Sequence, residues 1–354
     1  MRALLLAGGL SLIGTLVGTR WAIAILAKQG YGQLIRDDGP TSHHTKRGTP
    51  TMGGLVVIGA TLFGYLSAKL LTQDMPSASA LLLLFLLVGL GAVGFVDDYI
   101  KIVKQRSLGL RSRAKFGGQT IIAVTFGWLS LQFPDSRGNA PASSAISFVR
   151  VVDWRLPTVV AIIWVLVIIA GTSNAVNLAD GLDGLAIGSS VMVFGAYTLV
   201  GIWQNNQFCA ITPGAKCYNE IRDPLDLAVV AAAITGACFG FLWWNASPAQ
   251  IFMGDTGSLS LGGAMAGFAV MTRTELLLIV FGGLFALITL SVILQVGFFK
   301  LSKGRRIFRM APLQHHFELI GWDEVTIVIR FWIICGISVA TGLGLFYAEW
   351  VLGV

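Results

Sequence analysis

Asp97 and Asp98 stand side by side in Gly94-Phe95-Val96-Asp97-Asp98-Tyr99-Ile100-Lys101, directly after an apolar run from Ser79 to Val96 long enough to span a bilayer. Charged groups in such surroundings are costly and usually functional. Two adjacent carboxylates offer hard oxygen ligands for a divalent cation such as Mg2+, with Asp98 or Asp97 as ligand and the other as base or phosphate-orienting group. The bland alternative is a helix terminus whose Asp97 pairs with Lys101 four residues on. Neighbouring helical positions lie about 100° apart, so both acids reach one point only if the helix opens there.

Three more polar clusters interrupt the apolar chain. Asn174-Ala175-Val176-Asn177-Leu178-Ala179-Asp180-Gly181-Leu182-Asp183-Gly184 reads as an irregular turn in which the glycines permit close backbone approach. Asp183 there is either the N-cap of the next helix or a ligand group, whereas Asn177 and Asp180 suit hydrogen bonding to a sugar or a base. Asn245 and Phe252-Met253-Gly254-Asp255-Thr256-Gly257-Ser258 form the second cluster. Asp255 suits an N-cap as well as a metal, and Phe252 suits core packing as well as stacking on a base. The Asp-Thr-Gly string resembles aspartic peptidases, but no matching second aspartate accompanies it. The third cluster is Pro312-Leu313-Gln314-His315-His316-Phe317-Glu318, whose adjacent histidines lack the i, i+4 geometry of a helical zinc site and fit phosphate recognition better. A further segment, Lys46-Arg47-Gly48-Thr49-Pro50-Thr51-Met52-Gly53-Gly54, brings cations, hydroxyls and open backbone to a helix start, where anions bind readily.

The elements that position these clusters are membrane spans. The 354 residues are 55% hydrophobic and only 12% charged, with a mean hydropathy of +0.75, which excludes an ordinary soluble domain. Glycine is abundant at 43 residues, as close helix packing in lipid favours. Ten candidate spans follow, at roughly 3–27, 51–71, 79–97, 117–133, 156–174, 184–203, 225–244, 257–272, 275–299 and 325–350. The eighth is short and Gly-rich. The first, with Arg2 ahead of it, reads as a retained helix because it is long for a signal peptide and many spans follow. The predicted fold is therefore an all-α polytopic membrane protein with about ten transmembrane helices, residues 1–354 forming one integral-membrane domain.

Orientation follows from Lys and Arg in the connections. Lys28, Arg36, Lys46, Arg47, Lys101, Lys104, Arg106, Arg111, Arg113, Lys115, Lys300, Lys303, Arg305, Arg306 and Arg309 put fifteen basic residues in odd-numbered loops. Arg137, Arg150, Arg155, Lys216, Arg222 and Arg273, with Arg2, put seven on the other side. Odd loops are thus cytoplasmic and both termini extracytoplasmic. All the polar clusters fall on odd loops, although loops five and seven hold no Lys or Arg and did not enter the assignment. That points to one active site on the cytoplasmic face. The net charge of +7 sets topology and meets lipid headgroups, and does not indicate nucleic acid. His43 and His44 share the first loop with Lys46. Cys209 and Cys217 share an outer loop and can pair there, while Cys238 and Cys335 lie inside apolar runs.

Together these residues resemble the polyprenyl-phosphate N-acetylhexosamine-1-phosphate transferase superfamily, and within it the phospho-N-acetylmuramoyl-pentapeptide transferases. Five ordered motifs carry the resemblance over almost the whole chain: Thr49–Gly54, Asp97-Asp98-Tyr99-x-Lys101, Asn177–Gly184, Phe252–Ser258 and Pro312–Glu318. The resemblance implies ten transmembrane helices in the bacterial cytoplasmic membrane. It implies transfer of phospho-MurNAc-pentapeptide from UDP-MurNAc-pentapeptide to undecaprenyl phosphate, giving lipid I and UMP with Mg2+ as cofactor, and a homodimer. By the same resemblance Asp97, Asp98 and Asp255 are the catalytic set, with Asp255 and Asp98 on the metal. Asn177, Asp180, Asp183, Asn245 and Phe252 match nucleotide-side positions, and Lys101, Lys115 and His315 match positions near the diphosphate. Lys46, Thr49 and His316 join the substrate-binding set. Where the family often has a first histidine in its last motif, this chain has Gln314, which cannot titrate near neutral pH. A sister transferase using UDP-GlcNAc and a secondary transporter are the competing readings, the latter disfavoured because the acids gather on one face instead of the midplane.

Overall fold

The computed structural model describes residues 1–28, 46, 48–104, 109–149, 151–209 and 220–352. Its helices are α1 (Arg2–Lys28), α2 (Gly54–Thr72), α3 (Ala78–Val103), α4 (Ser112–Ser130), α5 (Thr158–Ala179), α6 (Leu185–Asn206), α7 (Pro224–Asn245), α8 (Gly254–Met271), α9 (Leu278–Phe281), α10 (Gly283–Leu301), α11 (Leu313–Leu319) and α12 (Glu324–Leu352). Ten of these run eighteen residues or more, and eight of the ten are apolar enough to cross a membrane by composition alone. The chain is an all-α, multi-pass membrane protein, as its hydropathy predicts.

The two long helices that fall short of that composition, α4 and α8, do so for different reasons. Ser112, Arg113 and Lys115 open α4 and make its first turn polar. Helix α8 lies at the centre of the bundle, where every residue from Thr256 to Met271 is buried. Its Gly257, Gly262, Gly263 and Gly267, with Ser258 and Ser260, let α2, α3 and α5 press close, since small side chains are what bring helices together in lipid. The weak hydropathy of the eighth span is therefore the mark of a core helix. Around it α1 packs on α2 and α7, and α6 on α7 and α12.

Three expectations need correction. The run at 275–299 is not one helix: a single turn, α9, breaks at Gly282 before α10 begins. Asp97 and Asp98 do not emerge at the end of their span, because α3 continues to Val103 and leaves each only 3% exposed. A two-stranded antiparallel hairpin, β1 (Ala145–Ser147) with β2 (Val151–Arg155), forms in the fourth connection, where only loop was expected. The hairpin adjoins buried Arg273, which donates to the carbonyls of Ala140 and Pro141 at the end of the bundle away from the acidic cluster. Also at that end Lys69 pairs with Asp226 at 2.7 Å, and Tyr65 donates to the same carboxylate at 3.0 Å. Cys209 is disulfide-bonded and Cys238 and Cys335 are free, while Cys217, His43, His44 and Arg47 lie outside the described residues.

Candidate active site

The first turn of α8 organises the acidic cluster. Helix N-termini leave backbone N–H groups without partners, and Met253 before α8 supplies no side-chain cap. Asp98 reaches across from α3 instead. Its Oδ2 accepts from the Thr256 N–H (2.9 Å) and hydroxyl (2.8 Å), and its Oδ1 accepts from the Asp255 N–H (3.2 Å). A carboxylate against the positive end of a helix is favourable in its own right. Gly254 enters this turn at φ +73, where a Cβ would lie 2.6 Å from Asp98 Oδ2.

This docking brings Asp255 onto the acidic pair. Ligand oxygens of Asp97, Asp98 and Asp255 all lie within 4.8 Å of one another, with α3 unbroken. The expectation that adjacent helical acids diverge unless the helix opens is thus overturned, because the third carboxylate comes to them from another helix. Lys101 Nζ sits 2.6 Å from Asp97 Oδ2, 2.9 Å from Asp255 Oδ2 and 3.5 Å from Asp98 Oδ1. Lys115, from the first turn of α4, approaches Asp255 Oδ2 at 2.7 Å. Asn177 Nδ2 donates to Asp255 Oδ1 at 2.6 Å and to Ser258 Oγ at 2.8 Å. Asp97 Oδ1 accepts from the Leu110 N–H at 2.8 Å. Three carboxylates against two ammonium groups leave one net negative charge, in a hard-oxygen donor set that fits a divalent cation.

A second cluster fixes the turn after α5. Asp183 does not cap α6, whose N-cap is Gly184 at φ +79 without a side-chain bond. Asp183 Oδ1 instead meets Lys46 Nζ at 2.7 Å, and its Oδ2 accepts from the Ala249 N–H at 3.0 Å. Lys46 is shared with Glu324 at 2.6 Å, so it braces chain segments and is not a free anion binder in this state. Asn245 is 3% exposed and braces the same turn, its Oδ1 accepting from the Gly184 N–H and its Nδ2 donating to the Ile251 carbonyl. Asp180, between the two clusters, takes no part in these bonds. Burial, then the carboxylates of Asp255, Asp98 and Asp183, push its carboxyl up to about 8.

The remaining candidates divide. His315 on α11 binds Glu318 through Nδ1 at 2.6 Å, and its Nε2 faces Gly181, where a Cβ would lie 3.0 Å away. His316 turns away: its Nδ1 accepts from the Arg309 N–H, and its ring lies edge-on to Phe308 and Phe317. Gln314 is fully buried and donates to the Leu178 carbonyl at 2.8 Å, a bracing role that needs no titration. Phe252 is half-buried, and its backbone pairs with Pro50 and Gly53; Thr49 donates its N–H to the Lys46 carbonyl. Thr256, Ser258, Glu318 and Glu324 are members that sequence reasoning did not single out. The first three lie inside motifs already quoted, but Glu324 resembles any acidic residue in a first helical turn.

The chain is similar to known proteins along its whole length. The model "Glycosyl transferase family 4" matches residues 80–273, and "Phospho-N-acetylmuramoyl-pentapeptide-transferase signature 1" matches residues 46–58. A protein named phospho-N-acetylmuramoyl-pentapeptide-transferase from a Nocardioides species is 68% identical over 365 residues, covering 100% of both chains. The chain belongs to the phospho-N-acetylmuramoyl-pentapeptide-transferase family. Family members of the same name from Cutibacterium acnes, 63% identical over 100% of each chain, and from Streptomyces griseus, 61% identical over 99% of each, match it as fully. The family signature at 46–58 contains Lys46, which joins the turn after α5, and Gly53, whose N–H donates to the Phe252 carbonyl just ahead of α8.

Proposed function

We propose that the chain transfers phospho-MurNAc-pentapeptide from UDP-MurNAc-pentapeptide to undecaprenyl phosphate, giving lipid I and UMP. The observation that carries this reading is the 68% identity over the whole length of a relative bearing that transferase's name. It acts as one integral-membrane domain in the bacterial cytoplasmic membrane, with the acidic cluster on the cytoplasmic face, both termini outside, and a homodimer as its assembly. A water-soluble nucleotide-sugar and a lipid-anchored phosphate can meet only at a membrane surface, and the gathering of the ends of α3, α4, α5 and α8 around the acidic cluster supports such a site.

In the reaction a polyprenyl phosphate oxygen attacks the phosphorus attached to the sugar. A new P–O bond forms there as the bond to the uridylyl phosphate breaks, and UMP departs with that electron pair. A phosphate of second pKa about 6 is mostly deprotonated already, so the site needs positioning more than a general base. Both oxygens of Asp97 are engaged, by the Leu110 N–H and Lys101, which fits an orienting role better than proton abstraction. Asp255 and Asp98 would hold Mg2+, which when bound screens phosphate charge and stabilises the leaving group. Lys101 and Lys115 present ammonium groups toward diphosphate oxygens, and His315 adds its ring from α11. Asp180 offers its carboxyl for hydrogen bonding on the nucleotide side, and Phe252 offers its ring there.

Purified protein with undecaprenyl phosphate, Mg2+ and each UDP-sugar in turn tests the reading. UMP should appear with UDP-MurNAc-pentapeptide and not with UDP-GlcNAc; the reverse preference would make it the sister transferase, and no UMP with either would return the transporter reading. Orientation has its own check. Arg306 is exposed after α10, and Arg306→Cys should react with an impermeant maleimide only from the cytoplasmic side. Labelling in intact cells would invert the topology.

A further inference from the structure

Lys46 and Glu324 are 278 residues apart in sequence, yet they meet in a compact polar knot outside the acidic cluster. Lys46 Nζ lies 2.6 and 2.8 Å from the two carboxylate oxygens of Glu324 and 2.7 Å from Asp183 Oδ1. Glu324 Oε1 also accepts the Asp183 backbone N–H at 2.9 Å. The Asp183 side chain is almost wholly enclosed, while those of Lys46 and Glu324 are each 19% exposed. Charge-assisted bonds in such surroundings are stronger than surface pairs and fix geometry as well as charge.

We propose that Glu324 is a positioning residue of the nucleotide-sugar subsite, holding the Asp180–Gly184 turn in register through Lys46 and the Asp183 N–H. The proposal rests on the transferase reading of the site and assigns to it a residue from the first turn of α12. The alternative is that Glu324 merely complements the N-terminus of its own helix, as many acids do. Three features favour the positioning role. Glu324 is the one acceptor of the Asp183 N–H among the described residues, so its loss strands a donor in a turn. It supplies the second carboxylate on Lys46, without which the ammonium is free to leave Asp183. The turn it holds follows directly from α5, whose Asn177 touches Asp255, while Glu324 itself makes no bond to the acidic cluster. A displaced turn therefore misplaces nucleotide contacts and leaves the reacting carboxylates where they are.

The test varies UDP-MurNAc-pentapeptide at saturating undecaprenyl phosphate, with the full chain in detergent. E324Q keeps the side-chain length and removes the charge. It should raise the KM for the nucleotide-sugar about tenfold or more, keep kcat within about twofold, and leave the KM for undecaprenyl phosphate unchanged. E324D, which keeps the charge but is one methylene short, should fall between E324Q and the native protein. A lower kcat at unchanged KM, or both constants unchanged, overturns the proposal. Should E324Q not fold, E324D decides, and a native KM there overturns it equally. If the native protein itself releases no UMP from any UDP-sugar, the transferase reading fails separately. UMP-induced thermal stabilisation then reads the knot: present in the native protein and lost in E324Q it supports the proposal, and equal in both it overturns it.

Discussion

Asp255→Asn is expected to abolish UMP release, lowering turnover by about a thousandfold or more, while the protein still unfolds cooperatively in detergent near the native temperature. Asp255 Oδ2 receives both Lys101 (2.9 Å) and Lys115 (2.7 Å), so it is the point where three helices exchange charge. The amide is nearly isosteric, and its oxygen still accepts from Asn177, which preserves packing. It cannot carry the negative charge that holds a divalent cation, and the two ammonium groups lose their shared partner. A missing ligand of this kind forfeits several kcal/mol of transition-state stabilisation, and about 4 kcal/mol is a thousandfold. Turnover near the native rate would remove Asp255 from the centre of the site. Turnover lost together with the fold would make the residue structural.

Much of this site was legible before any coordinate, because its signals are local. Ten runs of apolar residues, the lysine and arginine bias, and the recurrence of polar clusters on odd loops all follow from the cost of placing charge in hydrocarbon. Those signals assembled Asp97, Asp98, Lys101, Asn177, Asp180, Asp183, Asp255 and His315 at one end of the bundle, and the structure brings them together there. What escaped depends on partners distant in the chain. The sequence offers Asp98 as a metal ligand but gives no sign of the cap that it makes on α8 from α3. Asp183 suits an N-cap or a ligand group in the sequence; the structure excludes the cap and shows it holding Lys46 and the Ala249 N–H. Glu324 had no local signature at all, since its partners lie 141 and 278 residues away. The β1–β2 hairpin escaped for the opposite reason: strands of three and five residues are too short for alternation to register.

Gly94→Ala should be nearly as damaging as the loss of a catalytic carboxylate, though it removes no functional group. A Cβ at position 94 would sit 2.2 Å from the Asp255 carbonyl oxygen and 2.6 Å from the Thr256 nitrogen, both backbone atoms of α8 that no rotamer change can move aside. Helices α3 and α8 must therefore separate by about 1 Å, and buried overpacking of this kind costs about 1–3 kcal/mol. The same separation stretches the bonds from Asp98 to the Asp255 and Thr256 N–H groups and pulls Asp97 and Asp98 away from Asp255. A misplacement of about 1 Å at reacting groups costs roughly a hundredfold in rate. The expected result is turnover down about a hundredfold, a lower unfolding temperature, and weaker dependence on added Mg2+ at any concentration tried. Gly297→Ala in α10 is the matched control, because nothing lies within 4 Å of a Cβ there and alanine favours a helix by about 1 kcal/mol over glycine. If both variants turn over at the native rate, the close contact of α3 with α8 does not set the geometry of the acids. A Gly94 variant that is destabilised yet fully active would give that contact a role in folding alone. Loss of activity confined to position 94 would show that the metal-binding geometry is written in a residue that bears no chemistry of its own.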